Sequence, residues 1–333
     1  MTVITGENGA GKTSLLEAIG YVATQQSFRR SPREALVRNA ATSAIIRAEV
    51  TENAHKQLIE IEIDPTRRDV VQRNRQRIMR AQQLSETLRV TVFTPDDLVL
   101  VKEGPSEWRQ YLDEILVAAH PKLLLIQQKM EKVLRQRNVV LKQSNGRLNA
   151  EIGSTLDVWD YQLSEVGEQL VLARKELIEE LGPRATDAFQ QLTRSPSNLR
   201  FEYLSSYQGS LNTALARSRS DDLRRGVSTV GPHRDDLLIF AADLDARTRL
   251  SQGRQRAVTL ALRLAAHDVV TKYTGTTPVL LLDDVFSELD EPTSDALFEE
   301  LPPGQTLLTT AGVLPAKAKA HLSVSLHEGM FVG

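Results

Sequence analysis

The chain has 333 residues and a formal net charge of -2 at pH 7, with 41% hydrophobic and 25% charged residues. These values are typical of a water-soluble globular protein with two or three packed units. The lack of cysteine excludes disulfides, thiolate nucleophiles and cysteine-ligated zinc. No apolar run reaches the roughly 18 residues that a membrane span needs. We therefore expect a cytoplasmic protein.

Two arginine-rich stretches stand out against this balanced total. Such guanidinium groups can neutralise the phosphates of nucleic acid, although a solvated basic surface explains them equally well. The later stretch, between Thr66 and Arg80, contains a single acid, Asp69. The candidate DNA contacts are Arg29, Arg30 and Arg33 in the earlier stretch and Arg67, Arg68, Arg73, Arg75, Arg77 and Arg80 in the later one.

The N-terminal third of the chain alternates short apolar segments with turns. Thr2–Thr5 predicts a strand that leads into a glycine-rich loop. Later segments rich in β-branched residues predict further strands, namely AIIRAEV, LIEIEI and RVTVF. We expect residues 1–115 to form an α/β lobe with an antiparallel component.

The middle of the chain has helical periodicity. Between Ser106 and about Leu192, apolar residues recur at steps of three and four, and the Asn-Gly pair in QSNGR indicates a turn. The pattern predicts two antiparallel helices of about 35 residues each, which would form an arm roughly 50 Å long. We assign residues 116–200 to this arm.

The last third, residues 201–333, returns to an α/β pattern. RFEYL, PVLLLDDV and QTLLTTA predict strands. The stretch ARSRSDDLRRG is strongly polar. We expect it to be a mobile surface segment.

The segment GENGAGKT fits the phosphate-binding pattern G-x-x-x-x-G-K-[ST] between a strand and an amphipathic helix. Glycines let successive backbone N–H groups turn towards phosphates, and a helix N-terminus favours anions. A glycine turn that only caps a helix is the alternative, which the flanking elements disfavour. The predicted ATP-binding residues are Gly6, Glu7, Asn8, Gly9, Ala10, Gly11, Lys12, Thr13 and Ser14.

A second motif narrows the class of nucleotide-binding protein. In PVLLLDDVFSELD a predicted buried strand ends in Asp283 and Asp284. We predict that Asp283 and Thr13 hold Mg²⁺ and that Lys12 reaches the β- and γ-phosphate oxygens. Asp283 lies 270 residues after Thr13, a separation longer than in small kinases and GTPases.

A third motif lies shortly before these aspartates. LSQGR resembles the ABC signature L-S-G-G-Q, with Arg254 in place of the glutamine. Taken alone, a serine before a helix is an ordinary N-cap. The resemblance to ABC-type ATPases implies that Ser251, Gln252 and Gly253 bind the γ-phosphate held by the opposite protomer. ATP binding is then expected to drive dimerisation.

Further strings resemble the RecF family over nearly the whole chain. They are VTVFTPDDLVLVKEGPSEWRQYLDEIL, LRQRNVVLK, DVWDYQL and, most distinctive, TVGPHRDDL. The resemblance implies an α/β fold, a P-loop NTPase of the ABC/SMC-like type with an inserted short antiparallel helical arm. SMC proteins and break-repair ABC ATPases carry much longer coiled coils. RecF chains normally begin with a strand and an Asn-Phe-Arg-type segment before the phosphate loop, and this sequence starts inside that region. The resemblance therefore implies a further strand upstream of Met1.

The same resemblance implies a function in recombinational DNA repair and replication. An ATP-dependent homodimer would clamp duplex DNA or a duplex/single-strand junction, with a RecR-like mediator as partner, and would assist recombinase loading and the SOS response. The resemblance makes Lys12 and Asp284 the catalytic residues, with Asp284 in the place of the ABC catalytic glutamate. Because Asp284 is one methylene shorter than glutamate, we expect slow ATP hydrolysis. We also expect DNA to stimulate this hydrolysis. An SMC-like or anti-phage ABC ATPase and a non-hydrolysing ATP-gated clamp are the alternatives. His233 and Arg234 could bridge lobes or line the nucleotide site.

Overall fold

The computed structural model describes residues 1–52, 55–78, 87–312, 318 and 320–332. The chain forms two compact units, one of residues 1–97 and 266–333 and one of residues 98–265. The boundaries at 115 and 200 inferred from sequence stay a prediction, and both positions lie within secondary-structure elements. Within the described residues, no helix is long and apolar enough to cross a membrane.

Every strand expected from Thr2 onwards is present in the described part of the chain. The strands are β1 (Thr2–Thr5), β2 (Ala44–Glu52), β3 (His55–Ile63), β4 (Val70–Arg73), β5 (Gln76–Arg77), β6 (Val90–Phe93), β7 (Leu199–Leu204), β8 (Asp236–Ala241), β9 (Leu244–Asp245), β10 (Val279–Asp283), β11 (Thr306–Thr310), β12 (Leu322–His327) and β13 (Met330–Val332). The helices are α1 (Lys12–Thr24), α2 (Val99–Lys102), α3 (Pro105–Ala119), α4 (Leu123–Gln143), α5 (Ala150–Thr193), α6 (Leu211–Arg225), α7 (Gln252–Thr274) and α8 (Glu291–Glu299).

A six-stranded sheet in the order β13-β12-β1-β11-β10-β6 forms the centre of the first unit. Its neighbouring strands are parallel except for β12 and β13. Ile4, Leu16, Leu281 and Leu326 pack together as a buried core around these strands and α1. Because parallel strands end at the same edge of a sheet, the glycine loop after β1 and the aspartates at the end of β10 share that edge.

An antiparallel sheet in the order β2-β3-β4-β5 also belongs to the first unit. Ile59, Ile61 and Ile63 of β3 alternate with polar residues and are buried, as the LIEIEI pattern predicts. A two-residue turn joins β4 to β5, and both of its residues, Asn74 and Arg75, have positive φ values of 51° and 66°. This is the type I′ geometry, in which glycine is more usual at the second position.

The arm of the second unit consists of α4 and α5. Lys129 and Arg137 of α4 pair with Glu165 and Asp160 of α5, so the residue numbers rise along one helix as they fall along the other. The predicted antiparallel pairing is therefore confirmed.

The predicted helix lengths are wrong, because α4 has 21 residues and α5 has 44. Pro121 separates α3 from α4, in keeping with the tendency of proline to end helices. The predicted Asn-Gly turn is present, with Asn145 and Gly146 both at positive φ. After α5 the chain enters an antiparallel sheet in the order β7-β8-β9.

The polar stretch expected to be a mobile surface segment is in fact helix α6. The side chain of Ser210 caps its N-terminus, and Gly226 ends it in the left-handed conformation at φ 67°. Leu211, Leu215 and Leu223 are buried along one face. The prediction is wrong because the surrounding arginines and aspartates obscure this apolar spacing.

Candidate nucleotide-binding site

The glycine loop between β1 and α1 has a compact backbone. Gly11 lies at φ 97°, in the left-handed region that favours glycine. Gly6 approaches β12 so closely that an added Cβ atom would collide with the backbone oxygen of Leu326. The N–H of Ala10 donates to the Glu7 oxygen at 3.1 Å and closes a turn. This is the kind of backbone that can present N–H groups to phosphates.

Lys12 is the cation of this loop. Its side chain is buried, and Nζ donates to the Gly6 oxygen at 2.7 Å and to the Glu7 oxygen at 3.0 Å. Asn8 and Ser14, by contrast, are exposed. The ammonium group therefore lies within the loop, whose outer residues face solvent.

Thr13 and Asp283 are brought together from opposite ends of the chain. Thr13 Oγ1 donates to Asp283 Oδ1 at 2.9 Å, and the same oxygen accepts a bond from Thr309 Oγ1 at 2.7 Å. Asp283 and Thr309 are direct neighbours across β10 and β11. Hydroxyl and carboxylate oxygens are the ligands that Mg²⁺ prefers. The donor set thus fits the predicted ion.

Asp284 follows β10 in the left-handed conformation, at φ 47°. Its backbone N–H donates to both the carbonyl and the hydroxyl oxygen of Thr309, each at 3.1 Å. Its Oδ1 atom is buried and accepts no hydrogen bond from the residues that the structure describes. A buried carboxylate oxygen that accepts no hydrogen bond lowers the stability of the fold. This atom is therefore suited to accept a hydrogen bond from a water molecule and to orient it.

Two residues that position the site, Thr309 and Gly329, belong to no recognisable nucleotide-binding motif. Thr309 contacts both aspartates, as described above. In the turn between β12 and β13, the N–H of Gly329 donates to the Ala10 oxygen of the glycine loop at 2.9 Å. Pattern reading misses both residues, and the strand order that places β11 and β12 on either side of β1 is the signal that identifies them.

The signature-like residues Ser251, Gln252 and Gly253 are exposed at the start of α7, in the second unit. Ser251 Oγ accepts the N–H of Arg254 at 3.4 Å, as an N-cap would. The Arg254 guanidinium lies 5.7 Å from the ring centre of Phe189. Their binding to the nucleotide of a second protomer stays a prediction.

The segment GPHRDD, residues 231–236, is called the GPHRDD loop, and hydrogen bonds to main-chain oxygens hold it in place. Arg109 donates to the Asp235 oxygen at 2.8 Å, and Arg234 donates to the Ser228 oxygen at 3.0 Å. His233 Nε2 lies 3.2 Å from that same Ser228 oxygen. Burial lowers the pKa of His233 to about 4, and the neighbouring Arg234 and Arg109 act in the same direction. Roles in lobe bridging or nucleotide contact stay predictions.

The arginine-rich stretches are partly neutralised within the first unit. Arg33 pairs with Asp69, which also accepts the hydroxyl of Tyr21 at 2.6 Å. Burial and this carboxylate raise the pKa of Tyr21. Arg80 lies outside the described residues. The arginines of these stretches whose side chains are exposed include Arg29, Arg67, Arg68, Arg75 and Arg77. Their contact with phosphates stays a prediction.

Sequence comparisons place the chain among known relatives. A family model described as "RecF/RecN/SMC N terminal domain" matches residues 1–306. The DNA replication and repair protein RecF of Streptomyces avermitilis is 39% identical, with 94% of this chain and 87% of that protein covered. RecF of Frankia alni is 37% identical with the same coverage.

Solved structures agree with the sequence comparisons. A structure of the recombination mediator protein RecF with ATP, in the RecFOR pathway, matches with a TM-score of 0.90 at 26% identity, over 99% of this chain and 90% of that chain. The Smc head domain of Pyrococcus furiosus shares the fold, with a TM-score of 0.55 at 17% identity over 99% and 88% of the two chains. The chain therefore belongs to the RecF family of DNA replication and repair proteins and has the ABC/SMC-type ATPase fold.

Proposed function

We propose that this protein is an ATP-dependent, DNA-binding ATPase of DNA replication and recombinational repair. The hydrogen bond between Thr13 and Asp283, next to the loop that holds Lys12, is the observation that carries the proposal. This bond joins the phosphate-binding motif, which contains Thr13, to the aspartate motif at the end of β10. A nucleotide site needs both. The names of the RecF relatives, and the ATP in a similar solved structure, support the same function.

Each residue of the site has a role in this proposal. The backbone N–H groups of the glycine loop surround the phosphates, and Lys12 exchanges its two loop carbonyls for phosphate oxygens. Thr13 and Asp283 hold Mg²⁺, which when bound neutralises charge on the phosphoryl group. Asp284 orients the attacking water. Its short side chain reaches less far than a glutamate, so we expect slow hydrolysis. We also propose that DNA stimulates this hydrolysis.

The proposed assembly is a homodimer that forms when ATP binds. The exposure of Ser251, Gln252 and Gly253 supports it, because these residues are accessible to a second copy. Such a dimer would clamp DNA at gaps and duplex/single-strand junctions in the cytoplasm. Together with a RecR-like mediator protein, it would help to load the recombinase and to support the SOS response.

One observation favours a second candidate, a clamp that binds ATP without hydrolysing it. Asp284 stands where related ATPases use the longer glutamate. Both candidates require ATP and DNA binding, and they differ only in turnover.

Phosphate release separates these candidates. It is measured for the natural protein, Lys12→Ala and Asp284→Asn, with and without gapped duplex. We expect DNA to raise the rate of the natural protein, Lys12→Ala to bind ATP weakly, and Asp284→Asn to bind ATP while hydrolysing it at least about tenfold more slowly. ATP binding with no phosphate release would establish the non-hydrolysing clamp. Hydrolysis by Asp284→Asn at the natural rate would exclude the role of Asp284.

A further inference from the structure

The two helices of the arm carry opposite charge on their exposed surfaces. Every exposed charged side chain of α4 is basic except Glu131, and every one of α5 is acidic except Lys175. The exposed bases of α4 are Lys129, Lys132, Arg135 and Lys142. Charges that serve only solubility are usually mixed in sign over a surface. This segregation therefore indicates a surface with a partner.

Three of these bases form one stripe, which we name the α4 basic face: Lys132, Arg135 and Lys142. At 100° per residue they fall within about 80° of the helix circumference, and they span about 15 Å along its axis. Arg135 and Lys142 also line a cleft of about 420 Å³, whose other lining residues are the acid Glu131 together with Leu134, Asn138 and Val139. The face is thus partly concave.

The helix beneath this face is held rigidly. Asn138 Oδ1 accepts both the N–H and the hydroxyl of Ser228, at 2.8 and 2.7 Å. Gly226 packs against the stem of Lys142, where an added Cβ atom would lie 3.4 Å from Cγ. Among the contacts between described residues, the three bases of the face form no ion pair, whereas Lys129 pairs with Glu165 at 3.3 Å. Their cations remain available to a ligand.

We infer that the α4 basic face binds the sugar–phosphate backbone of duplex nucleic acid, an inference that rests on the DNA binding proposed above. A rigid row of cations suits the regular charge of a duplex, to which phosphate contacts contribute without regard to sequence. Helix α4 contains no aromatic residue on which an unpaired base could stack. The acidic exposed surface of α5 repels nucleic acid, so it directs the duplex to the α4 side.

A matched pair of charge reversals tests this surface. Lys142→Glu and Lys175→Glu change the net charge equally, one on the basic face and one on α5. Binding to a labelled duplex is measured by fluorescence anisotropy over a salt series with ATP present. We expect Lys142→Glu to weaken binding several-fold and to reduce the slope of log affinity against log salt by about 0.9. Lys175→Glu should stay within about twofold, and Lys142→Arg should retain both affinity and slope.

Each of the other outcomes would exclude one part of the proposed binding. Equal weakening by Lys142→Glu and Lys175→Glu would show a general charge effect and overturn the inference. An unchanged duplex affinity in Lys142→Glu, together with lost binding to poly-L-glutamate, would assign the face to an acidic protein instead. If the natural protein binds no duplex at all, the DNA binding under the proposed function also fails. If it binds duplex and Lys142→Glu does so equally well, only the arm surface is excluded.

Discussion

Arg137 of α4 and Asp160 of α5 form a buried ion pair, with 2.6 Å between Nε and Oδ1. Arg137 also donates to Asp222 of α6 at 2.7 Å and to the hydroxyl of Ser228 at 2.8 Å. A single guanidinium therefore joins three helices to the segment that precedes the GPHRDD loop. Arg137 and Asp160 lie in LRQRNVVLK and DVWDYQL, two of the strings that resemble RecF.

The Arg137 cluster is expected to be essential for the stability of the arm. In Arg137→Ala the carboxylates of Asp160 and Asp222 stay buried without this partner, so we expect a loss of about 3–5 kcal/mol in the free energy of unfolding, measured by urea denaturation. Lys129→Ala removes an exposed ion pair with Glu165 and should cost less than about 1 kcal/mol. Similar losses in both variants would contradict the importance of the buried pair.

Thr309 is expected to act as a positioning residue for the two aspartates. Thr309→Val removes the hydroxyl that contacts Asp283 and the N–H of Asp284. We expect ATP hydrolysis or Mg²⁺ affinity to fall by about 10- to 100-fold, as is usual when a partner of a metal ligand is lost. Thr306→Val changes a buried threonine of the same strand and serves as the control. A Mg²⁺ titration of hydrolysis that is the same for both variants would count against this role.

Gly6 is expected to tolerate no side chain. In Gly6→Ala the new methyl group would collide with the backbone oxygen of Leu326, so the loop must move away from β12. We expect ATP affinity to fall at least about tenfold by isothermal titration calorimetry, since phosphate binding depends on the backbone geometry of the loop. Gly104→Ala adds a methyl group in open space and should leave affinity unchanged. Normal ATP binding by Gly6→Ala would contradict the described loop conformation.

Stability is expected to decrease as pH falls from about 6.5 to about 4. Burial lowers the pKa values of His233 and His267 to about 4, from an ordinary value of 6.5. The unfolded chain therefore binds protons at these histidines before the folded chain does, which favours unfolding throughout this window and not above it.

The variant His267→Gln tests this pH dependence. His267 Nδ1 lies 3.0 Å from Thr91 Oγ1 within the core, whereas His327 is exposed. We expect His267→Gln to make the melting temperature less dependent on pH between about 4 and 6.5, and His327→Gln to leave that dependence unchanged. An unaltered slope in His267→Gln would show that this histidine does not titrate as described.

The sequence predicted the parts of the fold that have regular patterns. Alternation in β3, the glycine loop and the apolar strand before Asp283 all obey local rules, and each forms as expected. Helix α6 escaped prediction because its arginines and aspartates hide the spacing of Leu211, Leu215 and Leu223. Composition cannot show that Asp222 faces the interior, since its burial depends on Arg137, which is distant in sequence.

The candidate site also contains residues that the sequence predicts and residues that it does not. Lys12, Thr13 and Asp283 belong to motifs and could be named from the sequence. Thr309 and Gly329 act through strand order, which places them next to the motifs only once the sheet has formed. Contacts that form only when distant segments of the chain come together could therefore not be predicted from the sequence.

The proposed dimer requires that two copies share each nucleotide site, one providing Lys12 and the other Ser251. This requirement can be tested by mixing Lys12→Ala with Ser251→Arg. In a shared-site dimer each variant alone would have no intact site, whereas a mixed dimer would have one. We predict that neither variant hydrolyses ATP by itself and that the mixture does. No activity in the mixture, or full activity of Ser251→Arg alone, would contradict a shared site.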